Sequence, residues 1–187
     1  MKVSKFGGSS LANASQFEKV KKIVLSDPER AVVVVSALGR ENSADHKITD
    51  LLYLTHAHLT YGVSVDEIFE EIRQKHLSVH SALKLEVDLE GELTKIRNSL
   101  KKNMDIDELV SRGEYLSAVM MASYLGYHFV DAKELICIQY NGQIDLDKTY
   151  EKIRSIHQDH PKIVIPGFYG LLPNGKIKVM SRGGSDI

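Results

Sequence analysis

The sequence predicts an α/β fold built on an open, mainly parallel sheet with helices on both faces, and three observations carry that reading. The first is Val3-Ser4-Lys5-Phe6 running straight into Gly7-Gly8-Ser9-Ser10, a short strand that empties into a glycine turn. The second is Ala31-Val32-Val33-Val34-Val35-Ser36-Ala37, an unbroken apolar, β-branched run of the kind covered on both faces of a parallel sheet. The third is the helical pattern between them, which makes the whole a βαβ unit. A right-handed crossover then puts Ser36 and Gly7-Gly8 on the same, carboxyl-terminal edge of the sheet, where ligands of open α/β sheets bind.

Taken in order, the first helix is expected to open on a Ser15-x-x-Glu18 capping box, to carry Phe17, Val20, Ile23 and Val24, and to stop near Ser26-Asp27-Pro28. Residues 39 to 47 are polar and aperiodic, and read as a mobile loop with the makings of a lid. From 48 to 104 the pattern is almost wholly helical. Ile48 to Leu59 form one helix, Ser64-x-x-Glu67 opens a second with Ile68, Ile72, Val79 and Leu83 along one face, and Leu89, Leu93, Ile96 and Leu100 mark a third. Ser111-Arg112-Gly113-Glu114 interrupts this run, and a helix over Tyr115 to Leu125 ends on Gly126, a residue suited to the left-handed C′ position. Tyr127 to Val130 and Leu135 to Ile138 read as short strands. A helix carrying Tyr150, Ile153 and Ile156 leads into the strand Lys162 to Ile165, which ends in Pro166-Gly167-Phe168. Pro173-Asn174-Gly175 is a hairpin turn with Ile177 and Val179 on the returning strand.

Composition narrows the function classes. Lys and Arg number 24 against 25 Asp and Glu, so there is no basic footprint for nucleic acid and no polybasic membrane anchor. No apolar run approaches the roughly 20 residues that span a bilayer, and the start lacks a signal peptide's apolar core of roughly 7–15 residues, so a cytoplasmic location is expected. The single cysteine, Cys137, reads as an inert strand residue. His76 and His80 share a helix face but have no acidic ligand pattern beside them, and no metal site is assigned.

The chemistry concentrates at the strand ends. Gly7 and Gly8 let successive N–H groups converge on an oxygen cluster, and Lys5 adds a point charge. A second glycine-rich stretch, Ser181-Arg182-Gly183-Gly184-Ser185-Asp186, closes the chain. Ser185 and Asp186 are strong helix N-cap types, so a helix is expected to begin where the sequence stops, and the 187 residues read as the front part of a longer domain.

Together these motifs resemble the aspartate kinases of the amino acid kinase family. The resemblance rests on Lys5-Phe6-Gly7-Gly8-Ser9-Ser10, the Val-Val-Val-Ser-Ala strand, Ile48-Thr49-Asp50-Leu51-Leu52, Ser111-Arg112-Gly113-Glu114-Tyr115-Leu116-Ser117-Ala118, Pro166-Gly167-Phe168-Tyr169-Gly170 and Ser181 to Ile187, in that order over the whole chain. It implies an open three-layer α/β/α sandwich, with residues 1–187 as its N-terminal, substrate-binding portion and with the rest of the kinase domain and the ACT regulatory domains absent. It further implies phosphorylation of the side-chain carboxylate of L-aspartate by ATP with Mg2+, the first step toward lysine, threonine and methionine, in a protein that is a homodimer at full length. Residue by residue, Lys5 would be catalytic and would neutralise the phosphoryl group in flight. Gly7, Gly8 and Ser9 would hold phosphates. Ser36, Thr49, Glu114, Arg182 and Ser185 would contact substrate, Glu114 at its ammonium and Arg182 at its carboxylate. Asp186 would orient the catalytic lysine. Residues 39 to 47 lengthen the gap between Ser36 and Thr49, as in one bacterial subgroup of monofunctional enzymes. Because the family's purine-binding segments lie downstream, the 187 residues alone are expected to be inactive. The competing readings are another family member, such as a glutamate, carbamate or uridylate kinase, and a non-catalytic amino-acid-binding module of the same fold.

Overall fold

The computed structural model describes residues 1–180, so Arg182, Ser185 and Asp186 lie outside the described residues. Four parallel strands form the sheet, in the order β1 (Lys2–Phe6), β2 (Arg30–Val35), β4 (Ile163–Pro166) and β3 (His128–Phe129). The β-branched run of β2 explains its place between two neighbours. Val33 and Val35 enter one core, whereas Val32 and Val34 face a second, so side chains alternate into apolar surroundings on both sides.

The larger core lies under α1 (Ala14–Leu25), α2 (Ile48–Tyr61), α3 (Asp66–Leu83), α4 (Leu89–Ser99) and α6 (Arg112–Leu125). Helix α6 lies across β2, β3 and β4 and is apolar nearly all round, with Leu116, Ala118, Met120, Met121 and Ala122 all buried, as befits a helix enclosed by sheet and helices. The opposite face is covered by α7 (Ala132–Leu135), α8 (Leu146–Asp159) and the antiparallel pair β5 (Tyr169–Leu171) and β6 (Ile177–Val179).

Four local expectations change. Asn13, not Ser15, caps α1, its side chain accepting from the Gln16 amide at 3.1 Å, and Ser15 is already the second residue of the helix. Helix α3 begins after Val65. Ser64 instead accepts from the Asp66 amide and donates to the Asp66 carboxylate, a local turn that competes with a cap. The stretch read as a strand over Leu135 to Ile138 is the end of α7 followed by two isolated bridges, Cys137 to Leu171 and Ile138 to Ile144. Asp131 caps that short helix, and its cap outweighs the apolar run. A short helix, α5 (Ile106–Val110), precedes α6, which starts at Arg112 and so takes Glu114 into its first turn.

Candidate functional site

The carboxyl ends of β1 and β2 open into a cleft of about 910 Å³, with Phe168 beyond β4 on its wall. Its glycine wall is shaped by backbone contact. The Gly39 amide donates to the Gly8 carbonyl at 3.0 Å, and a Cβ added at Gly39 would collide with that carbonyl and lie 2.9 Å from the Ser9 nitrogen. Gly8 is less confined, since a Cβ there would lie 3.1 Å from the Ala37 carbonyl oxygen. Gly7 is different: a Cβ there would meet nothing, so its contribution lies in its backbone and not in its missing side chain.

The opposite wall is built by α6. Gly113 allows its first turn to press on the β2 exit, since a Cβ there would lie 2.9 Å from the Ala37 Cβ. The next residue, Glu114, is only 5% exposed and lines the cleft. Burial pushes its carboxyl up to about 7, against the opposing pull of backbone N–H groups of Glu114 itself and of Ala37. One of its oxygens, Oε2, meets no hydrogen-bond donor among the described residues. A buried carboxylate oxygen without a donor is a costly arrangement that a bound cation relieves.

Phe168 carries φ of 76°, left-handed backbone that a bulky residue seldom adopts. The sequence placed a glycine turn at Gly167, yet the unusual torsion falls on the next residue. It is held from both sides. The Gly167 amide bonds the Val35 carbonyl at 2.9 Å, the Met180 amide bonds the Phe168 carbonyl at 2.7 Å, and the buried Tyr169 hydroxyl donates to Asp131 at 2.7 Å. The Arg112 guanidinium lies over the rings of Tyr115 and Tyr169, at 4.8 and 5.7 Å from their centroids, and ties α6 to this anchor.

Of the residues singled out from sequence, Gly8, Ser9, Ser36, Thr49 and Glu114 meet on the cleft. Lys5 is exposed in β1 opposite Val34, and Gly7 follows one residue after the strand, beside the cleft but not lining it. Arg182, Ser185 and Asp186 fall outside the described residues. Sequence reasoning missed Gly39, Arg40, Lys47, Asp50, Tyr53 and Met180, all of which line the cleft. Arg40 and Lys47 were hidden in the polar stretch read as a mobile lid. That stretch is instead bonded to itself and clamped to α3: the Asp45 carboxylate accepts from the Glu41 amide at 2.9 Å and from Lys75 Nζ at 2.5 Å, and Lys75 also donates to the His46 carbonyl at 2.5 Å. His76 and His80 donate to the Ile72 and Val87 carbonyls, while the buried Nε2 of His76 has no hydrogen-bond partner among the described residues.

The parallel sheet thus gathers glycine turns, hydroxyls and one buried carboxyl at its strand ends, where open α/β sheets take their ligands. Comparison narrows the class. The sequence profile of the amino acid kinase family matches residues 1–187, and the chain belongs to that family. It is 33% identical over its whole length to Aspartokinase 3 of Bacillus subtilis, 44% of which it covers. Among solved structures, Clostridium acetobutylicum aspartate kinase superposes with a TM-score of 0.94 at 44% identity, over 98% of this chain and 42% of that one. Escherichia coli aspartokinase III, solved in complex with lysine and aspartate, superposes with a TM-score of 0.80 at 25% identity, over 98% of this chain and 44% of that one. The chain therefore spans less than half the length of these relatives.

Proposed function

We propose that residues 1–187 form the substrate-binding portion of an aspartate kinase, which transfers the γ-phosphoryl group of ATP to the side-chain carboxylate of L-aspartate. The observation that carries this reading is Glu114, a buried carboxyl with an oxygen lacking a donor among the described residues, on a cleft that it shares with Gly8, Gly39 and the hydroxyl-bearing Ser9, Ser36 and Thr49. An amino acid's ammonium group is the natural partner for that oxygen. The names of the relatives above, and the aspartate bound in one of them, support the choice of amino acid.

The chemistry asks little of general acids and bases. The attacking carboxylate, with an unperturbed pKa of about 3.9, is ionised at neutral pH. One of its oxygens forms the new bond to the γ-phosphorus, the bond to the β,γ-bridging oxygen breaks, and ADP leaves with that electron pair. Rate then comes from positioning and from neutralising charge on the transferring group. Lys5 supplies that charge, and Gly7, Gly8 and Ser9 offer phosphate contacts. Ser36 and Thr49 hold the amino acid with Glu114. Arg182, Ser185 and Asp186 complete the assignment as carboxylate clamp, substrate contact and orienting acid. Mg2+ would be carried on the nucleotide's phosphates, as this cation usually is in phosphoryl-transfer sites. No helix among the described residues is long and apolar enough to cross a membrane. A cytoplasmic location and a homodimeric full-length protein complete the proposal.

The test is ATP-dependent acyl-phosphate formation by the complete gene product, trapped with hydroxylamine, with aspartate and glutamate offered side by side. Hydroxamate from aspartate alone is the expected result. Hydroxamate from glutamate alone would place the chain with another member of the family, and none from either would favour an amino-acid-binding module.

A further inference from the structure

Helix α6 holds a second buried polar group that the proposed chemistry leaves unused. Ser117 is fully buried, and its Oγ meets no hydrogen-bond partner among the described residues. A serine inside a helix ordinarily has a carbonyl three or four residues back to donate to. Thr60, Ser78 and Ser99 use theirs at 2.8–2.9 Å, and Thr55, as deeply buried as Ser117, donates to the Leu51 carbonyl at 2.8 Å. Ser117 forgoes that bond, in a buried and largely apolar stretch where alanine would suit both helix and core better.

The helix itself shows what this hydroxyl stands beside. Ser117 follows Glu114 by three residues and Gly113 by four, spacings that make side chains neighbours on one helix face. Gly113 fixes where that face looks, since it presses on Ala37 at the β2 exit and on Ile48 and Leu52 of α2. The Glu114 carboxyl takes hydrogen bonds from its own amide and from that of Ala37, and Oε2 is left over. The other charged groups of the cleft are Arg40, Lys47 and Asp50, and neither cation gives Oε2 a bond. The Tyr169 hydroxyl is committed to Asp131 at 2.7 Å. A bare carboxyl oxygen and an idle hydroxyl thus stand one turn apart on the same helix.

We infer that Ser117 is a positioning residue for Glu114: when an amino acid's ammonium group pairs with the carboxylate, the Ser117 hydroxyl turns to donate to it from behind and holds it aimed at the ligand. This rests on the reading of Glu114 as the ammonium's partner. In the open cleft, water competes for the carboxylate. A seated ligand displaces that water, and in the drier site a hydrogen bond to a charged group counts for more.

Ser117→Ala in the complete gene product should fold and melt no lower than the wild type, since it removes an unpartnered buried hydroxyl from a helix. Aspartate binding, measured by calorimetry at pH 8.5, is expected to weaken about tenfold, the loss of one hydrogen bond to a charged group, while ADP binding stays within about twofold. The acid limb of the pH profile of kcat, which reports Glu114 in the complex, should move up by about one pH unit. In a Glu114→Gln background the same substitution should cost under about threefold, because it acts through Glu114. Ser117→Cys keeps the size with a weaker donor and should fall between wild type and alanine. Aspartate binding in Ser117→Ala within twofold of the wild type, with the acid limb unmoved, would overturn the inference. A lowered melting temperature beside those values would assign the hydroxyl to the unpaired Nε2 of His76 on α3 instead. A full tenfold loss in the Glu114→Gln background would overturn it as well. If Glu114→Gln itself leaves aspartate binding intact, the ammonium reading fails and this inference falls with it; if Glu114→Gln weakens binding and Ser117→Ala does not, only the role of Ser117 is lost.

Discussion

The two walls of the cleft are made by opposite means. On the glycine wall, Gly8 and Gly39 stand backbone to backbone with their hydrogen bond made, and the shape exists because side chains are missing. On the Glu114 wall, a side chain is buried with one oxygen unsatisfied, and the site exists because a charge is held where water is not. The first wall is a steric fact that a ligand finds ready. The second stores an electrostatic cost that a ligand removes, so it titrates and responds to binding.

Substitutions can break this contrast. The largest effect is expected at Gly39→Ala, where the new methyl meets backbone that cannot rotate away. A loss of roughly 3–5 kcal/mol in unfolding free energy follows, lowering the melting temperature in thermal denaturation by about 6 °C or more. Gly7→Ala, with open space around it, should change stability by under about 1 kcal/mol, and an equal loss at both positions would erase the distinction drawn for this wall. Glu114→Gln should keep the fold yet weaken aspartate binding about 100-fold, roughly 3 kcal/mol, because an amide cannot pair with an ammonium as a carboxylate does. Binding within threefold of the wild type would remove Glu114 from the site.

Smaller effects sharpen the comparison. Tyr169→Phe leaves Asp131 buried and short of a donor, with an expected loss of about 1–3 kcal/mol in unfolding free energy and a higher KM for aspartate as Phe168 loses its anchor. The pH dependence has a definite sign. Glu114 in the folded protein keeps its proton up to about 7, above the ordinary carboxyl value of 4.5, so between these values the folded state binds more protons than the unfolded chain. Its contribution to stability therefore falls as pH rises through that window. Glu114→Gln should gain on the wild type in denaturant midpoint from pH 5 to pH 8, and a constant difference would contradict the shifted carboxyl.

Much of the fold was legible because it rests on local signals. The alternation of Val32 to Val35, the spacing of apolar residues in α2 to α4 and the Asn174-Gly175 turn each settle their own segment. The site was legible in part. Ser36, Thr49 and Glu114 stand in motifs at element ends, where topology brings them to one edge. Gly39 was not legible, because a close approach to Gly8 is a tertiary contact with no periodic signature. Nor were Arg40 and Lys47. Polarity without a period reads as mobility, and contacts distant in sequence, such as the ion pair between Asp45 and Lys75, 30 residues apart, tie the loop to α3. The strand expected at Leu135 to Ile138 failed for a related reason, since a short apolar run takes its conformation from the Asp131 cap and the strands beside it.

The claim that Glu114 awaits an ammonium is tested most directly by counting protons. Aspartate binding to the complete gene product is measured by calorimetry at pH 7 in buffers of different ionisation enthalpy. Near pH 7 the free carboxyl is partly protonated, and pairing with an ammonium lowers its pKa, so the account predicts net proton release that disappears in Glu114→Gln. Binding with no proton release, or with release that persists in Glu114→Gln, would contradict it.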